Sequence, residues 1–341
     1  MRGYRIGIVG IGAVGAELVN VLRQRRFPAA DIRILARTER EEEIAGQRFR
    51  VLATRPESFE GLDFALFAGT EGAKGASQQF GWAAVEQGAI VIDNGDDYRM
   101  DPRVPLVIPE INPEALDRHQ GFISNPNCST IIALMALGPL HRAARIRRLV
   151  VSTYQSVSGT GRNAIEELER QARDYAAGKP ARAETYPHPI VFNLFPHIGG
   201  AKGDMTGYTS EEVKMRNETR KILASPRLRV CATCVRVPTF VGHAEALNVE
   251  FVRHISPAEA RAVLAAAPGV QVVDDLAAAR YPMPKDVAGT DDVLVGRIRR
   301  DESVKNGLAL FVAGDNLRKG AALNAVQIAE TMIARGLLKK K

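Results

Sequence analysis

Cysteine is scarce in this sequence, and long hydrophobic runs are absent from it. Three cysteines (Cys128, Cys231 and Cys234) are too few for a disulfide framework and suit a reducing compartment. The longest apolar stretch, residues 131–140, has about half the length that a membrane-spanning helix needs and contains Pro139. No signal peptide is recognisable before the first strand pattern. These absences predict a cytoplasmic protein that is not exported and has no membrane span.

A strong excess of charge of one sign is also lacking. The chain has 46 Lys and Arg residues against 39 Asp and Glu residues, a formal net charge of +7. The basic clusters 142–148 and 339–341 have no accompanying aromatic-rich stripe, so we interpret them as solvated surface. The sequence therefore argues against a nucleic-acid partner, and its positive charge favours small anionic ligands such as phosphates.

Length and composition favour two globular domains. The chain has 341 residues, of which 45% are hydrophobic and 25% are charged, close to the globular average. Between residues 5 and 125 short apolar runs alternate with helical periodicity, which predicts a parallel sheet with helical crossovers. After Cys128 the strand patterns are longer, which suggests a mixed sheet covered on one face. We therefore predict the α/β class, with an N-terminal Rossmann-type dinucleotide-binding domain followed by an α+β domain.

The individual elements follow from the same patterns. The predicted strands are 6–9, 32–35, 64–68, 89–92, 147–154, 229–237, 247–252, 292–297 and 308–313, and the predicted helices are 16–25, 162–175, 209–223, 257–266 and 321–333.

A glycine-rich loop lies between the first predicted strand and the first predicted helix. Gly10, Gly12 and Gly15, with Ala13 and Val14 between the last two, have the spacing Gly-x-Gly-x-x-Gly. Gly10 permits a tight turn, Gly12 lets the backbone approach a pyrophosphate, and Gly15 lets helix and strand pack closely. A glycine turn without a ligand is the alternative. The strand–turn–helix context favours a bound dinucleotide at the helix N-terminus.

The end of the second predicted strand bears on the choice of cofactor. NAD enzymes usually place an acidic residue here for the ribose 2′-hydroxyl, whereas this sequence has Arg37 followed by Thr38. An arginine at this position favours the 2′-phosphate of NADP. Two solvated arginines, Arg37 and Arg40, are the alternative, and Glu39 keeps NAD open.

Cys128 is the candidate nucleophile. It follows Asn127 and precedes an apolar helix pattern, so its thiol is expected at a helix N-terminus, where backbone N–H groups stabilise a thiolate. The same N–H groups and the Asn127 side chain could hold an oxyanion. A small buried cysteine is the alternative, but the polar neighbours Ser129 and Thr130 argue against burial.

A nucleophilic thiolate needs a proton acceptor, and His243 is the modest favourite among six histidines. It follows Gly242, which allows a tight turn that would aim the imidazole away from the sheet. The pair Cys231 and Cys234 lacks a second pair of ligands and lies within a β-branched strand pattern, so packing is favoured over a metal site.

The predicted helix 209–223 carries two acidic residues with different expected roles. Thr209 and Glu212 fit a capping box, which makes Glu212 structural. Glu211 and Lys214, three residues apart, could bind a substrate that has both ammonium and phosphate groups. A surface ion pair between Lys214 and Glu218 is the alternative, and the residues alone favour it.

Six motifs in order are similar to those of the aspartate-β-semialdehyde dehydrogenases, over essentially the whole chain. They are Asn-Pro-Asn-Cys-Ser-Thr at 125–130, Gln-Ser-Val-Ser-Gly-Thr-Gly at 155–161, Glu-Glu-Val-Lys-Met at 211–215, Arg-Val-Pro at 236–238 with Gly-His-Ala-Glu at 242–245, Val-Gly-Arg-Ile-Arg-Arg-Asp at 295–301, and Asp-Asn-Leu-Arg-Lys-Gly at 315–320. The resemblance implies an NADP-dependent reductive dephosphorylation of aspartyl phosphate to aspartate semialdehyde, in the lysine, threonine and methionine pathway, by a homodimer or homotetramer.

Residue roles follow from the resemblance. It implies that Cys128 forms an acyl-enzyme thioester, that His243 is the acid/base, and that Gln155 orients the substrate. The implied binding contacts are Arg236 with the α-carboxylate, Glu211 with the amino group, Arg99 and Lys214 with the phosphate, and Ser158, Gly159 and Asn316 with the nicotinamide. We assign residues 1–127, with a C-terminal helix at 320–337, to the dinucleotide-binding domain and residues 128–319 to the catalytic and dimerisation domain.

Some segments depart from the family pattern. The glycine loop is one residue shorter than usual, the loop 69–72 differs from the usual serine- and glycine-rich form, and Asp96 and Asp97 precede Arg99, where they would oppose phosphate binding unless they point away. Two alternative functions stay open. One is a related phosphorylating enzyme of the N-acetyl-γ-glutamyl-phosphate reductase type, and the other is a non-catalytic nucleotide-binding paralogue.

Overall fold

Two compact units make up the chain. The computed structural model describes residues 3–69, 75–201 and 205–338. Residues 1–127 and 321–341 form the first unit, and residues 128–320 form the second unit. Most of the loop 69–72 and the basic cluster 339–341, both singled out above, lie outside the described residues.

The first unit is a seven-stranded sheet with helices. Its strands are β1 (Tyr4–Val9), β2 (Ala29–Ala36), β3 (Arg40–Ile44), β4 (Gln47–Ala53), β5 (Phe64–Phe67), β6 (Ile90–Asp93) and β7 (Phe122–Ser124). Its helices are α1 (Ala13–Gln24), α2 (Ala76–Glu86) and α8 (Leu323–Ala334). The strand order is β3-β4-β2-β1-β5-β6-β7, with all pairs parallel except β3 and β4. Buried side chains of α8 share one apolar core with those of α1 and β1.

Two elements of this unit differ from the sequence prediction. Helix α1 begins at Ala13 rather than at residue 16, because the backbone of Gly12 already accepts the N–H of Ala16. The charged segment around β3 and β4 forms an antiparallel hairpin whose turn, Ala45 and Gly46, has positive φ angles. Its run of glutamates lacks the apolar alternation that identifies a strand, so the hairpin was not predicted.

The second unit is a six-stranded mixed sheet with helices. Its strands are β8 (Ile146–Gln155), β9 (Arg229–Arg236), β10 (His243–Phe251), β11 (Val270–Val272), β12 (Val293–Asp301) and β13 (Gly307–Gly314), in the order β11-β12-β13-β10-β8-β9. Its helices are α3 (Cys128–Ala144), α4 (Arg162–Ala176), α5 (Ser210–Ile222), α6 (Pro257–Ala265) and α7 (Pro284–Val287).

One face of this second sheet is covered by α3 and α5. Helix α3 contacts β8, β10, β12 and β13, and α5 contacts β9. The whole apolar run of α3 is buried, Pro139 included, which explains why its sequence shows little amphipathic pattern. The inward face of β8, β9 and β10 therefore lies in a region without bulk water. The predicted fold class, a Rossmann-type sheet followed by an α+β domain with a mixed sheet, is confirmed.

No helix within residues 3–69, 75–201 and 205–338 is long and apolar enough to span a membrane.

The glycine loop yields a prediction on stability. A Cβ atom on Gly15 would lie 2.1 Å from the Gly10 carbonyl oxygen, whereas a Cβ on Gly12 would have no neighbour within 4 Å. We expect Gly15→Ala to lower the free energy of unfolding by about 1–3 kcal/mol, since the backbone must shift to admit the methyl group. Gly12→Ala is the matched control and should keep the parent stability. Urea unfolding of the three proteins measures this, and equal stability of both variants would contradict the packing role of Gly15.

Candidate active site

The imidazole of His243 is fixed inside the second unit. His243 is the first residue of β10 and is fully buried, and its Nδ1 accepts the backbone N–H of Ser156 at 3.1 Å. The neutral ring therefore carries its proton on Nε2. Burial, and then the charge of Arg236, hold the pKa of His243 well below its usual value. Gly242 has a positive φ angle, as the predicted tight turn requires, and His243 directly after it is already part of strand β10.

Asn316 anchors the loops around His243. Its Oδ1 accepts the backbone N–H of Gly242 at 2.9 Å and the hydroxyl of Ser156 at 3.1 Å. Its side chain also hydrogen-bonds the hydroxyl of Ser158. Because Asn316 is 3% exposed and joins three segments, it positions the turn before His243. This role is additional to the nicotinamide contact that the family resemblance implies.

Arg236 lies beside His243, with Gly159 between them. Arg236 is 5% exposed, and its Nη1 donates to the Ser156 carbonyl at 2.6 Å. A Cβ on Gly159 would lie 2.9 Å from Arg236 Nη1 and 3.2 Å from His243 Nε2. The lack of a side chain at Gly159 therefore lets a backbone segment touch both polar groups.

Gln155 and Glu211 form a second polar group on the same face. Nε2 of Gln155 donates to Glu211 Oε1 and to Thr153 Oγ1, each at 3.2 Å. The Lys214 ammonium lies 4.0 Å from Glu211 Oε2, and both side chains are largely buried. Lys214 therefore faces inward with Glu211, and its role as a phosphate ligand stays a prediction.

Glu212 has a structural role, as predicted. Its Oε2 accepts the backbone N–H of Thr209 at 2.8 Å, which is one half of a capping box, and its Oε1 accepts the backbone N–H of Cys234 at 3.2 Å. It therefore fixes the start of α5 against β9 and so sets the position of Glu211.

Cys128 is the first residue of α3 and is half-buried. This is the helix N-terminus at which the sequence places it, where the helix dipole favours a thiolate. A Cβ on Gly320 would lie 2.8 Å from the Cβ of Cys128, so Gly320 lies close to this cysteine. The argument from polar neighbours is wrong, because Ser129 and Thr130 are fully buried. Asn127, in the first unit, is also buried.

The other two cysteines differ from each other. Cys234 is buried, with its sulfur 3.9 Å from the sulfur of Met215, and burial raises the pKa of its thiol. Cys231 is exposed, so the expectation that both pack inside the sheet is wrong for Cys231. Within the described residues no cluster of three or more His, Cys, Asp or Glu side chains could hold a metal ion.

The first unit holds the residues predicted to bind a dinucleotide. A cavity of about 450 Å³ is lined by residues that include Gly10, Arg37 and Arg40. The exposed Arg37 makes no side-chain hydrogen bond within the described ranges, whereas Nη1 of Arg40 contacts Thr38. Among the described residues, no atom outside the loop's own neighbouring backbone lies within 4 Å of a Cβ placed on Gly12, so this space can admit a pyrophosphate. These residues therefore fit a bound NADP or NAD.

Arg99, the predicted phosphate ligand of the first unit, is buried. Its Nη2 donates to the Asn94 carbonyl at 2.7 Å. Asp97, which was expected to oppose phosphate binding unless it points away, accepts a hydrogen bond from Ser77 at 3.3 Å.

The carboxyl of Asp93, a residue that the sequence analysis did not single out, is fully buried. Burial raises the pKa of Asp93 to about 6, against the opposing effects of the Gly95 backbone and of Arg99.

A further buried acid, Glu245, lies near the site. It follows His243 by two residues, so both point to the inward face of β10, and it pairs across strands with Thr153 and Val312. It is fully buried, and neither carboxyl oxygen has a hydrogen-bond partner within the described part of the chain. Burial, and then the charge of Glu211, raise the pKa of Glu245 well above its usual value. An acidic residue at an inward strand position is the sequence signal that could have identified it.

The chain is similar to proteins of one enzyme family along nearly its whole length. Residues 5–119 match the family model described as semialdehyde dehydrogenase, NAD binding domain, and residues 137–319 match the one described as semialdehyde dehydrogenase, dimerisation domain. The aspartate-semialdehyde dehydrogenases of Synechocystis sp. and Bacillus subtilis are 47% and 42% identical to it over 98% and 97% of this chain, and each alignment covers 98% of the relative. The aspartate semialdehyde dehydrogenase II of Vibrio cholerae complexed with ASA is 40% identical, with a TM-score of 0.92 over 98% of this chain and 99% of that one.

The buried proton on Glu245 leads to a prediction on pH dependence. Because folding raises this pKa, the folded state holds a proton that the unfolded chain releases above its ordinary pKa of 4.5. This contribution to stability is present below that pH and is lost as the pH rises. Glu245→Gln keeps the shape without the acid, so we expect it to be more stable than the parent at pH 7–8 and equal to it near pH 4. Urea unfolding across this range, with the exposed Glu302→Gln as control, measures the difference. A Glu245→Gln protein that is less stable at pH 8 would contradict a protonated Glu245.

Proposed function

The chain belongs to the aspartate-semialdehyde dehydrogenase family, and from this we propose that it reduces L-aspartyl-4-phosphate to L-aspartate 4-semialdehyde, with release of phosphate and with NADP as its cofactor. The observation that carries the proposal is the set of buried polar side chains on one sheet face, Gln155, Glu211, Arg236 and His243, in the same unit as a cysteine at a helix N-terminus. The comparisons support this enzyme and not the two alternatives.

Cys128 is the nucleophile in this mechanism. Its thiolate attacks the acyl phosphate carbon, the C–O bond to phosphate breaks, and a thioester forms on the sulfur. The N-terminus of α3 would stabilise the thiolate, and together with Asn127 it would stabilise the oxyanion that develops during attack. When bound, NADPH would supply the hydride that reduces the thioester, and the C–S bond to Cys128 would then break to release the aldehyde and the thiolate.

His243 is the proposed acid group and acts through Nε2. Because Nδ1 accepts the Ser156 N–H, the neutral ring carries its proton on Nε2 and would donate it as a hydrogen bond to the oxygen of the reduced thioester adduct. Burial and Arg236 disfavour the imidazolium, so the ring would stabilise this oxygen while it stays neutral. When the carbonyl re-forms and the thiolate leaves, the ring still holds its proton.

The substrate's charges match the remaining side chains. Arg236 would hold the α-carboxylate, Glu211 the ammonium group and Lys214 the phosphate, while Gln155, which hydrogen-bonds Glu211, would orient the acyl group. Arg99 in the first unit is the second candidate for the phosphate.

NADP is proposed over NAD because Arg37 and Arg40 line the cavity next to Gly10. The residues of the first unit that would contact the cofactor are Gly10, Gly12, Ala13, Val14, Gly15, Arg37 and Thr38. In the second unit, Ser158, Gly159 and Asn316 would lie near the nicotinamide. Three free cysteines favour the reducing cytoplasm as the compartment.

A homodimer, or a tetramer built from it, is proposed from the outward face of the second sheet. Tyr154, Cys231 and Thr233 are exposed there, and Val235 and Ala246 are half-buried. An open face with these apolar groups on three adjacent strands is typical of an interface.

If the outward face of the second sheet is the dimer interface, a single positive charge placed on it should prevent association. Ala246→Arg places a guanidinium in the middle of the outward face and should reduce the solution mass, measured by light scattering, to that of one chain. Ala278→Arg, at an exposed position outside the sheet, should keep the parent mass. A parent protein that is already monomeric would contradict the proposal.

The proposed reaction is tested by absorbance at the NADPH band with aspartate semialdehyde, phosphate and NADP. The parent should form NADPH, and Cys128→Ser should lose nearly all turnover but keep its affinity for NADP, because the thiol serves only the covalent step. Cys231→Ser is the matched control and should behave as the parent. Turnover of N-acetylglutamate semialdehyde in place of aspartate semialdehyde, or none at all, would support one of the two alternatives.

Cofactor preference is tested at Arg37. A charge-assisted contact to the 2′-phosphate contributes about 1.5–3 kcal/mol, so Arg37→Ala should raise the KM for NADP about tenfold or more and leave that for NAD unchanged. Arg118→Ala, an exposed change elsewhere in the first unit, is the control. A parent enzyme that prefers NAD, or an Arg37→Ala variant with the same KM for NADP as the parent, would contradict the proposal.

A further inference from the structure

Another cavity, this one in the second unit, adjoins Arg236. It has a volume of about 540 Å³, and Arg236 is its most buried polar residue. His188 and His197, both exposed, line it nearer to solvent. The cavity therefore leads from two surface imidazoles to a buried guanidinium.

The loop that forms this cavity is held in place by buried polar groups of α4. The carboxylate of Glu167 accepts backbone N–H groups of Glu184 and Thr185, and the Gln171 amide oxygen accepts that of Ile190 at 2.9 Å. Both side chains are buried. The segment that carries His188 is therefore fixed at both of its ends.

The segment that carries His197 is fixed to Arg236 itself. Phe195 and Arg236 exchange two backbone hydrogen bonds, of 3.0 and 2.8 Å. The Phe195 ring also lies 5.5 Å from that of Tyr186 and 6.1 Å from that of His188, measured between ring centroids. Both imidazoles thus belong to a preformed wall around the guanidinium.

The side chains that line this cavity favour the binding of an anion. None of the described residues that line the cavity is acidic. Within the described ranges the Arg236 side chain makes one hydrogen bond, from Nη1, so the edge formed by Nε and Nη2 can bind two oxygens side by side. A planar carboxylate fits that edge. It would also lie close to the reaction, because Gly159 lies near both Arg236 and His243.

We propose that His188 and His197 are specificity-determining residues that recognise, together with Arg236, the α-carboxylate end of the substrate. The inference rests on the proposed function and extends it to the outer part of the site. The imidazoles donate N–H groups to the carboxylate, which binds beside the buried guanidinium.

The test compares substrates with and without the carboxylate. His188→Ala and His197→Ala should each raise the KM for aspartate semialdehyde about threefold to tenfold, the value of one hydrogen bond, with kcat and the KM for phosphate unchanged. The carboxylate-free analogue 3-aminopropanal should be insensitive to both changes, whether it is assayed as a substrate or as a competitive inhibitor. His254→Ala, an exposed histidine outside the cavity, is the control.

Three results would overturn the inference. The first is an unchanged KM for aspartate semialdehyde in both variants, and the second is a rise in the KM for phosphate instead. The third is an equal effect of the two substitutions on 3-aminopropanal, which would indicate that the histidines have a structural role only. A failure of the proposed function is distinguishable, since the parent protein itself would then not turn over aspartate semialdehyde.

Discussion

The hydrogen bond from the Ser156 backbone to Nδ1 of His243 is the contact on which the rest of the site depends. It exists because β10 begins at His243 and pairs antiparallel with β8, which ends at Gln155. It fixes the tautomer of the ring and leaves Nε2 as its reactive atom. Asn316 holds both loops that meet at this bond, and Arg236 binds the carbonyl of the same Ser156. A shift in the register of β10 would disturb all of these contacts together.

Burial sets the electrostatics of this face. His243 and Glu245, on one strand, are both kept neutral because the charged form of each would lie in a region without water. Glu211 and Arg236 can then act as the charged pair that matches an amino acid's ammonium and carboxylate groups. The face thus combines charged side chains with two groups whose neutral form is favoured by burial.

Sequence reasoning predicted the architecture because the periodicity of β1, α1 and the long strands of the second sheet is strong. It failed for β3 and β4, where charged residues form a hairpin through a turn with positive φ angles. At the site, the glycine loop and Cys128 follow from local motifs. The orientation of His243 and the burial of Glu245 do not, because both depend on which face of β10 the helices cover. Likewise, only the fold shows that Lys214 points inward with Glu211.

The central claim is that Cys128 carries the acyl group while His243 hydrogen-bonds its oxygen through Nε2. The most direct measurement mixes the enzyme with aspartate semialdehyde and NADP without phosphate, and follows NADPH and the intact protein mass together. The account predicts a burst of about one NADPH per chain and a mass increase of one aspartyl group on the peptide that contains Cys128, which phosphate then removes. A burst without acylation of Cys128, or acylation at another residue, would contradict it.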